Sequence, residues 1–297
     1  MATRSKRILI TGGSGFIGLH LAKKVLANKQ RVVIYDIVEP AHKELKKVYV
    51  HGDVFDTKKL EEEVKASDVV IHLVGLVDTG TTERDPAGSF RLNVLALQNV
   101  LEACRKCGGK KLIYPSSATV YGEHVDLPIK ESSPPNPTWM YAWHKYMGEL
   151  MVKSYHKRYK LNHVILRLFN VYGEGNKGVI EIFLGKAKKG EVIQSFGPYQ
   201  YRDFVYAGDV AEAMYNAAMY YKVDNRVVNI GSGKGMQIKD ILNIICELYP
   251  KAKWVEKKAD FAVYDHIADI TLAKILLDFK PHDTLEFMKK VIKEEMM

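Results

Sequence analysis

The chain has 297 residues, of which 47% are hydrophobic and 27% charged, a composition typical of a globular protein with a full core. Its formal net charge is +9, but no stretch combines clustered basic residues with interleaved aromatic ones, so we expect no nucleic-acid partner. No apolar run approaches the roughly 18 residues of a membrane span, and the basic start lacks the apolar core of a signal peptide. We therefore expect no membrane partner and a cytoplasmic location.

Short β-branched runs alternate with helix-length periodic segments through the first half of the chain. The predicted strands are 7–11, 31–35, 48–51, 69–73 and 111–114. The predicted helices are 17–27, 57–65 and 86–106. Strands that are apolar on both faces and joined by helices are typical of a parallel sheet covered on both sides. The sequence therefore predicts an α/β fold with a Rossmann-like, doubly wound parallel sheet.

The second half continues the alternation but contains loop-rich stretches. A helix is predicted at 140–159 and strands at 163–168 and 226–230, whereas 173–178 and 190–203 carry the Gly and Pro residues of loops, and the tail from 237 is mostly helical. We expect residues 1–168, with a returning segment at about 203–232, to form the first domain. Residues 169–202 and 233–297 are expected to form a small, mostly helical C-terminal lobe.

The three cysteines do not indicate a disulfide framework. Cys104 and Cys107 have CxxC spacing, but they lie near the end of a predicted helix and no second Cys/His pair with ligand spacing accompanies them. We predict two ordinary helix residues and no metal site.

The first predicted strand leads into a glycine-rich turn and then a helix. Glycines at this spacing let the turn close, let the backbone approach a pyrophosphate and let helix and strand pack, while the first amides of the helix bind the anion. Asp36 ends the second strand, where a carboxylate accepts both ribose hydroxyls of NAD and repels the extra phosphate of NADP. The alternative is that Asp36 merely caps a loop. The residues expected to bind the cofactor here are Gly12, Gly15, Phe16, Ile17, Gly18 and Asp36.

A second glycine-rich stretch, 231–235, resembles a phosphate-binding loop but does not fit its pattern. No Gly lies five residues before Gly233, and Gly235 stands where Ser or Thr is needed. We predict a turn after a late strand.

Tyr141 and Lys145 are four residues apart in a predicted helix, so their side chains share one face. Tyrosine has a pKa near 10 and is a poor base at neutral pH, but a nearby ammonium favours its phenolate. Ser117 ends the fifth predicted strand, at the edge of the sheet where such folds bind ligands. Its hydroxyl can donate to a substrate oxygen beside Tyr141. Ser117, Tyr141 and Lys145 are therefore the candidate catalytic residues.

At these residues the chain resembles the extended short-chain dehydrogenase/reductase family, in its NAD-dependent epimerase/dehydratase branch. The resemblance covers nearly the whole length and rests on motifs in the family's order. They are the glycine-rich turn 11–18, Gly52-Asp53-Val54, Val70-Ile71-His72-Leu73, Asn93-Val94, Ser116-Ser117-Ala118-Thr119-Val120-Tyr121-Gly122, Tyr141 with Lys145, Arg167-Leu168-Phe169-Asn170-Val171-Tyr172-Gly173 and Arg202-Asp203-Phe204-Val205-Tyr206.

The resemblance implies roles for further residues. Asp53 and Val54 would bracket the adenine of NAD, and Leu73, Val74, Gly75 and Asn93 would line the cofactor, together with Tyr141 and Lys145. Ser117, Thr119, Tyr141, Asn170 and Arg202 would contact a nucleotide-sugar substrate, the last two at its diphosphate. The alternatives for Asn170 and Arg202 are a capped strand end and a surface ion pair with Asp203.

The residues after Ser117 help to divide the branch. Family dehydratases place an Asp-Glu pair there, whereas this chain has Ala118-Thr119, as in the family's UDP-galactose 4-epimerases. The resemblance thus implies an epimerase that oxidises a sugar transiently and reduces it again, most simply on UDP-glucose and UDP-galactose. Two departures concern the substrate: residues 258–261 replace an Arg-Pro-Gly-like stretch, and Val77 stands where some 4-epimerases have Lys.

Two other functions stay open. One is a sugar dehydrogenase or reductase of the same family, and the other is a non-catalytic dinucleotide-binding protein, which the intact catalytic trio disfavours.

Family members commonly dimerise through the helices that correspond to 86–106 and 140–159, which implies a homodimer. In the second helix Met147, Leu150, Met151 and Tyr155 recur at helical spacing, although this stripe is also consistent with packing on the chain's own sheet.

Overall fold

The computed structural model describes residues 5–123, 126–258, 264–283 and 285–296. The strands are β1 (Arg7–Thr11), β2 (Arg31–Asp36), β3 (Tyr49–His51), β4 (Val69–His72), β5 (Lys111–Ser117), β6 (His163–Leu168), β7 (Asn170–Tyr172), β8 (Ile193–Phe196), β9 (Tyr201–Tyr206), β10 (Arg226–Ile230), β11 (Gly235–Gln237) and β12 (Trp254–Lys257). The helices are α1 (Phe16–Ala27), α2 (Lys43–Lys46), α3 (Thr57–Lys65), α4 (Thr79–Arg84), α5 (Pro86–Phe90), α6 (Ala96–Lys106), α7 (Met140–Tyr159), α8 (Val179–Lys188), α9 (Ala207–Met219), α10 (Ile238–Leu248), α11 (Thr271–Leu277) and α12 (Leu285–Val291). A π-helical turn, Arg91–Leu95, joins α5 to α6, and a 3₁₀ turn, Ala118–Tyr121, follows β5. Within these ranges no helix is both long and apolar enough to cross a membrane.

Seven strands form one parallel sheet in the order β10-β6-β5-β4-β1-β2-β3. Each predicted strand of the first half is present within one or two residues, except that β5 continues to Ser117, as expected from the placement of that serine. The long predicted helix 86–106 is present over its full extent, but the π-helical turn interrupts it. Strands buried on both faces explain why the apolar runs are nearly continuous.

Helices cover both faces of this sheet. One face packs against α1, α9 and α11, and the other against α3, α6 and α7. Gly148 lets α7 approach the sheet, because a Cβ at this position would lie 2.1 Å from the hydroxyl of Tyr114 in β5. The Rossmann-like, doubly wound fold predicted from the sequence is confirmed.

The strand order reverses at β1, which lies between β2 and β4. Open sheets of this kind bind ligands in the crevice where the order reverses, beyond the carboxyl ends of the strands. The glycine-rich turn after β1 and the loop after β4 therefore meet at the same crevice. A Cβ on Gly12 would lie 2.6 Å from the backbone nitrogen of Val74, which shows how closely the two segments approach.

The C-terminal lobe has its own apolar core, formed by α8, α10, α12 and adjoining strands. It also contains two small sheets, β11-β9-β7 and β12-β8. The expectation of a loop over 190–203 is therefore wrong, because β8 and the start of β9 lie there. The side chains of β8 alternate between buried and exposed, as in a strand that packs one face on the core, although Gly and Pro residues flank it. Part of the tail, 268–279, packs against the core of the large sheet.

Candidate active site

The glycine-rich turn between β1 and α1 leaves backbone amides free at the start of the helix. Gly12 adopts φ +73°, a conformation that favours glycine, and its N–H donates to the Tyr35 carbonyl at 2.9 Å. Gly18 is needed where α1 crosses the turn, because a Cβ there would lie 2.4 Å from the Gly13 carbonyl oxygen. No side chain caps α1 at Gly15 and no acidic residue lies in its first turn. The amides of Phe16 and its neighbours can therefore hold a phosphate.

Asp36 lies at the end of β2, beside this turn. One carboxylate oxygen accepts the Ser14 N–H and the other accepts the Val38 N–H, each at 3.0 Å. Asp36 thus caps the loop after β2, as the alternative interpretation holds, but it also reaches the glycine-rich turn, which a simple cap would not require. A carboxylate fixed at this place has lone pairs left for two ribose hydroxyls.

The residues after β3 and β4 complete the same crevice. Asp53 is exposed, and its carboxylate accepts the Phe55 N–H at 2.9 Å, while Val54 is buried in the core. Leu73 continues β4 by donating its N–H to the Thr11 carbonyl at 2.8 Å. Gly75 follows Val74 at the point where a Cβ would lie 2.8 Å from Asn93 Oδ1.

Asn93 holds the loop after β4 from the π-helical turn. Its Oδ1 accepts the Leu76 N–H at 2.7 Å, and its Nδ2 donates to the Leu76 carbonyl at 3.0 Å. The amide side chain thereby pairs with both backbone groups of Leu76, as a neighbouring strand would. Asn93 is buried, and these contacts indicate that it shapes the wall of the crevice.

The structure brings Ser117, Tyr141 and Lys145 together at the carboxyl end of β5. Ser117 lies beside Tyr141, where its hydroxyl would stabilise the phenolate. The Ser117 oxygen accepts two hydrogen bonds from Thr119, from the backbone N–H at 3.2 Å and from the hydroxyl at 2.9 Å. Because Thr119 occupies the lone pairs of Ser117, the serine proton is left to point elsewhere. Thr119, expected to contact substrate, thus also orients the serine hydroxyl.

Lys145 lies behind Tyr141. Its ammonium donates to the Pro115 carbonyl at 2.8 Å and lies 5.9 Å from the centre of the Tyr141 ring. Burial lowers the pKa of Lys145 to about 8. Burial also raises the pKa of Tyr141 to about 12, and the hydrogen bond with Ser117 opposes this only in part. In the chain alone Tyr141 is therefore a phenol at neutral pH, and the expected phenolate is not favoured by Lys145 by itself.

A buried ionic network that the sequence analysis did not identify lies next to Ser117 and Lys145, because it includes Ser116 of β5 and Glu149 of α7. Arg167 of β6 forms two hydrogen bonds of 2.8 Å with the Glu149 carboxylate, and Ser116 donates to the same carboxylate at 2.7 Å. Burial raises the pKa of Glu149, but Arg167 outweighs burial and keeps this pKa below its usual range. Glu149 lies one helical turn after Lys145 in α7, and this i, i+4 spacing is the feature of the sequence that could have placed Glu149 on the same helix face as Lys145.

A second neighbour of Lys145 is His72, at the end of β4. It is buried, its Nδ1 lies 2.8 Å from the Thr11 hydroxyl, and its Nε2 has no hydrogen-bond partner in the described part of the chain. Burial, with the charge of Lys145, lowers the pKa of His72 to about 3, so the ring is neutral at physiological pH.

Asn170 and Arg202 lie on β7 and β9, which are neighbouring strands of the small sheet β11-β9-β7. Asn170 Nδ2 donates to the Asp203 carbonyl at 3.1 Å. The Arg202 guanidinium lies 5.2 Å from the centre of the Tyr264 ring, and burial lowers the pKa of this arginine although Tyr264 and Asp265 oppose the shift. A half-buried guanidinium without a salt bridge among the described residues can receive an anion.

The alternative of an ion pair between Arg202 and Asp203 is wrong. Asp203 is completely buried, and its carboxylate accepts four hydrogen bonds, from the Ser232 N–H and hydroxyl and from the Gly233 and Ala268 N–H groups. The turn at 231–234 that resembles a phosphate loop therefore binds a carboxylate of its own chain. The prediction that it is a turn after β10 is confirmed.

Of the two departures from the family pattern, one can be placed. Val77 is exposed in the loop after β4. Residues 259–261 of the segment that replaces the Arg-Pro-Gly-like stretch lie outside the described residues.

Cys104 lies within α6 and Cys107 at its end, and neither forms a disulfide bond.

Three comparisons with known proteins agree with this geometry. The model of the NAD dependent epimerase/dehydratase family matches residues 8–231. A putative UDP-glucose 4-epimerase of Methanocaldococcus jannaschii is 36% identical over 96% of this chain and 93% of its own. The chain belongs to the NAD dependent epimerase/dehydratase family.

Solved structures of related proteins extend the comparison. The crystal structure of UDP-glucose 4-epimerase from Thermotoga maritima with UDP-glucose has a TM-score of 0.86 at 28% identity and covers 98% of this chain and 100% of that one. The structure of UDP-glucose 4-epimerase from Brucella ovis in complex with NAD has a TM-score of 0.89 at 28% identity, with 97% of each chain covered. Membership of this family makes the chain an NAD-dependent enzyme.

The residues present fit NAD. The uncapped start of α1 suits the pyrophosphate, a Cβ at Gly12 would close the approach between the turn and Val74, and the Asp36 carboxylate suits a ribose. NAD supplies a hydride acceptor that also returns the hydride. The part played by each residue stays a prediction.

Proposed function

We propose that the chain is an NAD-dependent epimerase of nucleotide sugars, with UDP-glucose and UDP-galactose as the first substrates to test. The observation that carries the proposal is the grouping of Ser117, Tyr141 and Lys145 at the carboxyl end of β5, beside the crevice at β1 and β4. Relatives named UDP-glucose 4-epimerase, which cover almost the whole chain, support the same activity.

In this proposal Tyr141 moves one proton. Its phenolic oxygen removes the proton of the sugar hydroxyl as the carbon is oxidised, and it gives the proton back after the keto-sugar has turned its other face. Ser117, oriented by Thr119, donates to the sugar oxygen throughout. Lys145 is held behind Tyr141 by the Pro115 carbonyl, and we propose that its ammonium favours the tyrosinate only together with the positive charge of bound NAD⁺. The proton stays on the enzyme, so the reaction needs no exchange with solvent.

The Ala118-Thr119 pair argues against elimination of water. A dehydratase needs an acid and a base beside the catalytic serine, whereas Ala118 is buried and apolar and the Thr119 hydroxyl donates a hydrogen bond to Ser117.

Asn170 and Arg202 are proposed to hold the diphosphate of the substrate. We also propose that residues 1–168, with 203–232, bind the cofactor and that 169–202 and 233–297 bind the sugar nucleotide, although 268–279 pack on the large sheet.

The chain is further proposed to form a homodimer through α5, α6 and α7. Large apolar side chains are exposed on α5, on the π-helical turn that joins α5 to α6, and on α7, among them Phe90, Leu95, Trp143 and Leu150. Of the predicted stripe on α7, Met151 and Tyr155 pack on the core of their own chain, whereas Leu150 is 48% exposed. Exposed apolar surface of this kind supports an interface between subunits.

The test is an incubation of the purified chain with UDP-glucose, UDP-galactose and their acetamido and uronic relatives, with and without added NAD⁺. Interconversion of two sugars, separated by chromatography, without net absorbance of NADH at 340 nm is the expected result. Tyr141→Phe should lose at least about 100-fold in kcat, and Tyr159→Phe, an exposed tyrosine at the end of the same helix, should retain activity. Formation of NADH in proportion to substrate would instead identify a dehydrogenase.

A further inference from the structure

The catalytic helix carries a buried histidine between its two predicted catalytic residues. His144 lies three residues after Tyr141 and one before Lys145, is completely buried, and packs against the edge of the Phe90 ring at 5.8 Å between ring centres. Its Nδ1 lies 3.5 Å from Asn93 Nδ2, at the outer limit of a hydrogen bond. Nε2 has no partner among the described residues. No step of the proposed reaction uses this side chain.

The contact of His144 continues into the wall of the cofactor crevice. Asn93 Nδ2 carries two hydrogens, of which one goes to the Leu76 carbonyl and the other is available to His144 Nδ1 at 3.5 Å. Its Oδ1 accepts the Leu76 N–H and lies close to Gly75. His144, Asn93 and Leu76 therefore form a continuous connection between the catalytic helix and the loop predicted to line NAD.

A second contact joins the same loop to the same helix. α4, which ends this loop, places Glu83 Oε1 2.8 Å from the Met140 N–H, so that Glu83 caps α7, whose own N-cap residue Trp139 makes no side-chain hydrogen bond. The loop 74–84 is thus attached to α7 at its start and at its second turn. A shift of the loop relative to Tyr141 has to break one of these two attachments.

We propose that His144 is a positioning residue whose neutral imidazole, accepting from Asn93, fixes the cofactor-lining loop against the catalytic helix. The proposal rests on the proposed function for its kinetic consequences, but its effect on NAD binding does not depend on the substrate. Protonation of Nδ1 would set an N–H against the Asn93 N–H and release the loop. His144 would then make NAD binding sensitive to acid.

The groups around His144 agree with a neutral ring. Burial lowers the pKa of His144, and the charge of Glu83 on α4 opposes this. The two nearby arginines have other partners: Arg84 of α4 donates a hydrogen bond to the Thr81 hydroxyl, and Arg91 of the π-helical turn lies over the Phe55 ring. On its own helix the neighbouring titratable groups are Tyr141 and Lys145. The neutral form therefore dominates at pH 7 and is lost only as the pH falls below the usual range of histidine.

The experiment compares two variants of the whole chain. His144→Asn keeps an acceptor oxygen at the position of Nδ1 and cannot be protonated, whereas His144→Leu keeps volume and removes the acceptor. We expect His144→Leu to weaken NAD⁺ binding about tenfold by calorimetry at pH 7.5 and to lower kcat more than it changes KM for the sugar nucleotide. We expect His144→Asn to bind as the native chain does. His156→Asn, in the last turn of the same helix, is the matched control.

The pH dependence separates a positioning role from a merely structural one. In the native chain and in His156→Asn, NAD⁺ affinity should fall only as the pH drops below the usual range of histidine, and in His144→Asn this fall should be absent. Native affinity in His144→Leu, equal losses in the Asn and Leu variants, or an acid fall that persists in His144→Asn would each overturn the proposal. If His144→Leu does not fold, the pH profile of His144→Asn decides. If the native chain binds NAD⁺ but epimerises no sugar, only the proposed function fails.

Discussion

Arg202 and Asp203 follow each other in β9 and have opposite environments. Arg202 lies against the Tyr264 ring beside Asp265, and it is available to an anion. Asp203 is completely buried and accepts four hydrogen bonds, two of them from Ser232. Successive side chains of a strand point to opposite faces, so one position serves the proposed substrate site and the next serves the fold.

Asp203→Asn should destabilise the chain. An amide would turn its N–H₂ group either toward the Ser232 N–H or toward the Gly233 and Ala268 N–H groups, and a buried donor without an acceptor costs about 1–3 kcal/mol. We expect a loss of about 2–4 kcal/mol in the free energy of unfolding, measured with urea. Asp265→Asn, which alters an exposed contact with Tyr201, is the control and should cost less than about 1 kcal/mol.

Arg202→Lys should weaken binding of the sugar nucleotide. Lysine retains the charge but not the planar pair of donors that suits a diphosphate, so KM should rise about tenfold or more while NAD⁺ affinity is unchanged. Steady-state kinetics and calorimetry measure the two quantities. Arg226→Lys, at the exposed start of β10, should behave as the native chain. An unchanged KM in Arg202→Lys would remove this residue from the substrate site.

Asp36→Asn should reduce both NAD⁺ affinity and the discrimination against NADP⁺. The charged acceptor beside Ser14 and Val38 is lost, and hydrogen bonds to a charged group are worth about 1.5–3 kcal/mol, so affinity should fall about 10- to 100-fold. Calorimetry with each cofactor tests this. Glu39→Gln removes a nearby exposed charge and should leave both affinities as they are. Equal losses in both variants would point to a general effect of charge.

Acid should destabilise the chain through two buried histidines. Burial lowers the pKa of His72 to about 3 and that of His163 to about 4, from 6.5 in the unfolded chain. Between these values and 6.5 the unfolded state binds more protons, so stability falls as pH falls below about 6.5 and is unaffected above it. Each histidine contributes up to about 1.4 kcal/mol per pH unit. The slope of unfolding free energy between pH 6.5 and 5 should decrease in His163→Gln, and an unchanged slope would contradict this account.

Leu150→Glu should convert the proposed dimer to a monomer. A charge at this exposed position of α7 would have to be buried between subunits without a partner. Light scattering coupled to gel filtration measures the mass. Ile275→Glu, an exposed apolar residue on α11, is the control and should remain dimeric. A native chain that is already monomeric would contradict the proposal directly.

The sequence alone predicted the strands and most helices of the large sheet, and the candidate site residues that lie within one element. The bounds of α3 and α7, the glycine-rich turn before α1 and the spacing of Tyr141 and Lys145 depend on hydrophobic periodicity and local backbone geometry, which neighbouring residues encode. The α/β class follows from the order of these elements. Ser117 at the end of β5 could also be placed, because parallel strands present their carboxyl ends at one edge.

The tertiary structure decided the contacts between residues far apart in the chain. Nothing in the sequence shows that Asp203 fills the turn at 231–234, that Arg167 pairs with Glu149, or that His144 reaches Asn93. It also decided that burial raises the pKa of Tyr141 although an ammonium is near. A buried polar group takes whichever partner the fold brings within about 3 Å, and its pKa follows from the water that folding removes. Both quantities depend on the packing of separate elements, and no local pattern of residues encodes them.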